Sequence, residues 1–234
     1  MKLLAIETST EACSVALWID GDVRERHEIA PRRHTELVLP WADALLAEAG
    51  IGKRALDAIA VGRGPGAFTG VRLAVALVQG MALGLDIPVL PVSTLATLAL
   101  PAMAGAGAAD VLAAIDARMG EVYLGLFRAD ADAGVIALGG EWMARPGDAL
   151  VAEGAAALIG VGTGFAAADG LLATQLAGRM RRVDATALPH AADVARLAAP
   201  AFARGEAIAA DRLEPAYLRD KVALTLAEQR DRVR

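Results

Sequence analysis

An internal echo constrains this fold more than any other feature of the chain. The stretch Ile6-Glu7-Thr8-Ser9-Thr10-Glu11-Ala12-Cys13-Ser14-Val15-Ala16-Leu17-Trp18 aligns without a gap to Ile115-Asp116-Ala117-Arg118-Met119-Gly120-Glu121-Val122-Tyr123-Leu124-Gly125-Leu126-Phe127. Each copy reads as an apolar strand ending in Ile-acid, a polar turn, and a strand that alternates toward an aromatic. A third strand is expected after each, at Val23 to Ile29 and at Val135 to Trp142. A second echo pairs Val61-Gly62-Arg63-Gly64 with Val161-Gly162-Thr163-Gly164, each between a short apolar strand and a helical segment. Self-similarity over several elements in the same order indicates duplication: the pattern β-β-β-α-β-α occurring twice, hence two α/β halves.

The duplicated pattern resembles the actin-like ATPase (ASKHA, Hsp70 and sugar-kinase) fold, which implies two lobes facing an inter-lobe nucleotide cleft. The boundary is expected in the small-residue stretch Ala104-Gly105-Ala106-Gly107-Ala108, dividing the chain into 1–104 and 105–234. Elements after the boundary are shorter and richer in alanine, so the second lobe is reduced. A helix is expected from Ser93 to Met103, and an amphipathic one near the end, about 217–230, able to pack back on the first lobe.

Between the strand at Leu56–Val61 and an apolar helix running to Leu85 lies Gly62-Arg63-Gly64-Pro65-Gly66-Ala67-Phe68-Thr69-Gly70-Val71-Arg72. A strand, glycine-rich loop and helix in this order often meets phosphate, with Thr69 placed to cap the helix. It is not a Walker loop, since no Gly-Lys-Ser/Thr follows, and not a dinucleotide fingerprint. The helix itself is apolar nearly all round and must be covered within the domain or by a partner. Ala76, Gly80 and Gly84 form a small-residue stripe along it, which admits a close neighbour.

Composition narrows the chemistry. A net charge of −5 over 234 residues argues against a broad nucleic-acid face, although Arg24, Arg26, Arg32 and Arg33 could form a local basic patch. One cysteine, Cys13, permits no internal disulfide and fits a reducing compartment. The first residues lack the apolar length of a secretory signal, and the helix after Gly70 is shorter than the roughly 20 residues needed to span a bilayer. The expectation is a cytoplasmic protein without a membrane partner. His27, His34 and His190 are not at helical ligand spacing, and no Gly-x-Ser-x-Gly elbow occurs, so neither metal nor triad chemistry is indicated. Glu7, Thr8, Ser9 and Asp116 admit two readings: strand-end polarity with turn capping, or a vestigial nucleotide cleft. His34 shares a helix face with Leu37, Val38 and Trp41, which suits an interface better than catalysis.

As a literal string, Gly64-Pro65-Gly66-Ala67-Phe68-Thr69-Gly70-Val71-Arg72 resembles the signature of the TsaB family of tRNA threonylcarbamoyladenosine biosynthesis. Ile6-Glu7-Thr8-Ser9-Thr10, Arg33-His34-Thr35-Glu36, Pro91-Val92-Ser93-Thr94-Leu95 and Glu214-Pro215-Ala216-Tyr217-Leu218-Arg219 are similar to the same family. The resemblance implies a non-catalytic subunit that pairs with a TsaD-type transferase, is joined by a TsaE-type ATPase, and forms a homodimer when alone. It implies modification of N6 of the adenosine next to the anticodon in tRNAs reading ANN codons, with tRNA held mainly by partners. In the catalytic paralogue a His-x-x-x-His pair binds metal; here Thr94 and Leu98 stand at those places. No intrinsic cofactor is implied, but ATP or ADP could be shared at a complex interface. The implied interface comprises His34, Leu37, Val38, Trp41, Arg72, Ala76, Gly80, Met81 and Gly84. The competing reading is a stand-alone actin-like ATPase or kinase using Glu7, Thr8, Asp116 and the glycine loop; a third is a scaffold unrelated to tRNA.

Overall fold

The computed structural model describes residues 1–104, 106–107, 109–151 and 157–219. Two sheets carry the duplication. The first contains β1 (Lys2–Glu7), β2 (Ala12–Ile19), β3 (Asp22–Ile29), β4 (Ala58–Gly62) and β5 (Val89–Val92), in the order β3-β2-β1-β4-β5. The second has β6 (Asp110–Arg118), β7 (Glu121–Asp130), β8 (Gly134–Ala137), β9 (Trp142–Ala144), β10 (Leu158–Val161) and β11 (Met180–Asp184). Its order is β11-β10-β6-β7-β8, the same path read from the other edge, with β9 added beside β7. In both sheets the first strand pairs antiparallel with the hairpin partner and parallel with the strand that follows the crossover. The expected strand Val135–Trp142 is therefore two short strands; the turn at Gly139, φ +136°, separates them.

Helices fill the layers. Those described are α1 (His34–Glu48), α2 (Phe68–Leu85), α3 (Thr94–Ala99), α4 (Ala167–Gln175) and α5 (Ala191–Ala203). Both central strands are covered on both faces, so they are apolar throughout and split by parity. Leu4 and Ile6 of β1 pack toward α1 and α2, whereas Leu3 and Ala5 face the opposite way. Val111, Ala113 and Ile115 of β6 join that same middle core, and Leu112 and Ala114 turn toward α4. Between the sheets lie α3 and α5, the latter presenting Ala191, Ala195, Ala198 and Ala199. Small side chains on a helix sandwiched between two sheets allow this close packing.

Four local expectations are corrected. Thr69 does not cap α2: the helix begins at Phe68, the cap position is Ala67, and no side chain closes it. At 18 residues α2 is long and apolar enough to cross a membrane by length and composition, and one face is packed into the fold through Val71, Ala74, Val75 and Val78. The helix expected from Ser93 to Met103 is α3, capped by the Ser93 hydroxyl, followed by a 3₁₀ turn at Leu100–Met103 where Pro101 breaks the pattern. Of the expected terminal helix, residues Tyr217 to Arg219 are non-helical and the remainder lies outside the described residues.

Candidate functional site

The turn that follows β1 and the Ile-acid end of β6 line opposite sides of a cleft of about 520 Å³. One rim carries Ser9, Thr10, Glu11, Arg32 and His34, and the N-terminus of α2 opens beside them; the other carries Asp116 to Met119 and Thr163. The structure therefore brings Ser9 and Asp116 together. Glu7 and Thr8 are not in the lining; both are buried behind it.

The glycine loop explains why. Gly70 approaches the Thr8 carbonyl and Gly62 the Glu7 carboxylate so closely that any added Cβ would fall well under 3.0 Å from them. The Ala67 amide donates to the Ser9 carbonyl at 2.6 Å, and the Thr8 hydroxyl donates to the Gly70 carbonyl at 2.8 Å. The glycines thus seat the chain's own β1–β2 turn, while Gly66 to Thr69 still line the cleft. Glu7 Oε1 accepts the Ser9 amide at 2.6 Å, and Oε2 takes the Thr94 hydroxyl at 3.3 Å. Burial pushes the Glu7 carboxyl above its ordinary range, against those hydrogen bonds. Both oxygens of this carboxyl are thus engaged within the fold. Gly162 and Gly164 repeat the device in the second sheet, pressed against the Ala114 backbone near the end of β6.

Asp116 is more open, but its carboxylate is held by Arg118 at 2.7 Å, and its own amide donates to the Thr163 hydroxyl. Thr94 is fully buried, accepting the Gly64 amide at 3.2 Å, and Leu98 is core. Among the described residues no cluster of three or more His, Cys, Asp or Glu could hold a metal ion. Three of the four arginines of the expected basic patch are engaged within the fold: Arg24 donates to the Glu48 carbonyl, Arg26 pairs with Glu48, and Arg33 with Glu28 and Glu36; Arg32 is exposed on the cleft rim.

The residues expected at an interface divide. His34 Nε2 bridges the Thr10 and Ala12 carbonyls at 3.1 and 3.2 Å, which requires the proton on Nε2 and ties α1 to the β1–β2 turn. Val38 is completely buried, and Leu37 and Trp41 are half-buried on the same core, so this face of α1 points inward. Leu39, one residue further round, is 44% exposed instead. On α2 the stripe Ala76, Gly80 and Gly84 is exposed, and a Cβ added at either glycine meets nothing within 4 Å. Beside it a groove of about 250 Å³ runs between α1 and α2, lined by Leu39, Gly80, Met81, Gly84 and Leu85 among others. Arg72 heads the stripe at the cleft end, with its guanidinium 3.5 Å from the Phe68 ring centroid.

Sequence reasoning missed a polar junction away from the cleft. Glu25 of β3 accepts the Ser14 hydroxyl at 2.6 Å and the Ala192 amide at 3.0 Å on one oxygen, and meets His190 Nδ1 at 3.0 Å on the other. It thus caps α5, which lacks a cap from its own N-terminal residue. The partners are 165 residues apart, and no local pattern announces them.

Comparison with known proteins completes the picture. Residues 27–226 match the family model described as TsaD, tRNA N6-adenosine threonylcarbamoyltransferase. The chain is 44% identical to the Escherichia coli tRNA threonylcarbamoyladenosine biosynthesis protein TsaB, over 95% of this chain and 96% of that one. It is 39% identical to the Haemophilus influenzae protein of the same name, over 95% of each. The solved structure of YeaZ from Pseudomonas aeruginosa superposes with a TM-score of 0.82 at 46% identity, covering 93% of this chain and 99% of that one.

Proposed function

The chain belongs to the TsaB family of tRNA threonylcarbamoyladenosine biosynthesis proteins, and on that premise we propose that it is an accessory subunit that works by pairing with a TsaD-type transferase. Its place is in tRNA modification; the transfer to N6 of adenosine is the partner's chemistry. We read the two sheets, with their shared strand order, as the lobes of an actin-like ATPase-type fold, residues 1–104 and 105–234. Supporting a non-catalytic role are the enclosed Glu7, the paired Asp116, and threonine and leucine at positions 94 and 98. ATP or ADP, where it acts, is held at an interface shared with the transferase and a TsaE-type ATPase. The single buried cysteine suits the cytoplasm.

The observation that carries this reading is the open face of α2. Ala76, Gly80 and Gly84 leave backbone exposed beside Met81, Leu83 and Leu39, and small residues allow another helix to approach to about 8 Å. The same face is where two copies would meet in the absence of a partner. Pairing there can hold the transferase's lobes in a competent arrangement, a population shift drawn from interface free energy. The test replaces Gly80 by Glu, or Ala76 by Asp. Co-elution with a TsaD-type protein should be lost, together with modified adenosine formed from tRNA, threonine, bicarbonate and ATP by the complete system. Pairing that survives both substitutions rules this surface out, and ATP turnover by the isolated chain would favour an independent ATPase.

A further inference from the structure

The cleft between the lobes has a closed base and an open mouth. At the base, Leu3 and Ala5 of β1 share one core with Val111, Ala113 and Ile115 of β6. At the mouth, among the described residues, no hydrogen bond joins the Ser9–Glu11, Arg32 and His34 rim directly to the Asp116–Met119 rim. What crosses is the extended segment from Leu213 to Arg219.

Its first part is pinned to the first lobe. Gln79 donates to the Leu213 carbonyl at 3.0 Å, the Ala216 amide to the Arg63 carbonyl at 2.8 Å, and Arg72 Nε to the Tyr217 hydroxyl at 2.8 Å. Arg72 lies between the Phe68 and Tyr217 rings, 3.5 and 5.2 Å from their centroids. Two residues on, Arg219 grips the second lobe. It pairs with Glu121 at 2.8 Å and donates to the Ala117 carbonyl at 3.0 Å, with its side chain only 14% exposed. The turn it holds is strained: Arg118 and Met119 both sit at positive φ, +62° and +58°. Such conformations persist only where surrounding contacts over-determine them.

We propose that Tyr217 and Arg219 form a latch that sets how far the two lobes open about their shared core. A contact at the mouth acts at the greatest distance from the hinge, so a few bonds of ordinary strength suffice. Arg63, Arg72 and Gln79 flank or belong to α2, so the latch also fixes the helix bearing the Ala76–Gly84 stripe against the second lobe.

The test places spin labels at Thr35→Cys and Ala166→Cys, exposed positions on opposite lobes, in the full-length chain. Cys13 is buried and its thiol is pushed up to about 12, so it stays unlabelled. Arg219→Ala removes charge-assisted hydrogen bonds and should raise the open population about tenfold or more, seen as a shift to longer distances. Tyr217→Ala should shift the distances in the same direction. Arg219→Lys, which keeps the charge beside Glu121 but loses the forked grip, should give intermediate opening and serves if the alanine variants do not fold. Unchanged distances overturn the latch even where the melting point falls, because a merely stabilising strap weakens the fold without opening the cleft. The measurement needs no partner, so its failure leaves the pairing proposal standing, and lost pairing would leave the latch standing.

Discussion

The Glu25 junction offers a sharp quantitative test of what holds α5 to the first sheet. Burial pushes the carboxyl up, but hydrogen bonds from His190, Ser14 and the Ala192 amide outweigh it and bring it down to about 2. A tenfold change in proton affinity is worth about 1.4 kcal/mol, so the fall from 4.5 to about 2 corresponds to about 3–4 kcal/mol at most. His190 is 38% exposed, and screening there reduces the expected value to about 2 kcal/mol. Glu25→Gln preserves size and leaves Oε1 to accept from Ser14 and Ala192, so it removes mainly the charge. The sign follows from both groups. Glu25 is lowered on folding, so its contribution is present above 4.5 and is lost as pH falls toward about 2. His190 is raised, chiefly by the Glu25 hydrogen bond, so its contribution is present below 6.5 and is lost as pH rises through its folded value. Urea unfolding of both proteins should therefore show the largest difference between pH 4.5 and 6.5, narrowing on either side. A difference that is flat with pH, or below about 0.5 kcal/mol in that window, would refute the reasoning.

The same substitution on one helix should act with opposite sign at two glycines. Gly70→Ala forces a Cβ into the Thr8 carbonyl and should cost about 1–3 kcal/mol or more, whereas Gly80→Ala enters open space and should stabilise the isolated chain by about 0.5–1 kcal/mol; melting curves distinguish them. Cys13, held near 12 chiefly by burial, has about one thiolate in ten thousand at pH 8, so native labelling by iodoacetamide should be negligible and become complete in urea.

How much of this could be read from the chain alone depends on how local each cause is. The strands were legible because a strand covered on both faces is apolar at every position, and because the Ile-acid word marks the same strand end in each half. The like strand order of the two sheets accords with the echo. Judgements about what faces what fared less evenly. On α2 the expected stripe Ala76, Gly80 and Gly84 does lie on the open face, even though a helix so apolar gives little contrast between its faces. On α1 the face expected at an interface, His34, Leu37, Val38 and Trp41, turns inward with Val38 fully buried, while Leu39, about 100° round the helix, is exposed. The glycine loop was legible only in part. Strand, glycines and helix describe a concavity but not its occupant, and the occupant here is the turn at Thr8-Ser9, some sixty residues earlier in the chain. The strap at Leu213–Arg219 has no period at all, and its partners at 63, 72, 79, 117 and 121 come from both halves. Each of those contacts is ordinary chemistry between residues that only the folded topology brings together. In this chain a local pattern locates an element well, but the residue that satisfies it is usually found in another part of the sequence.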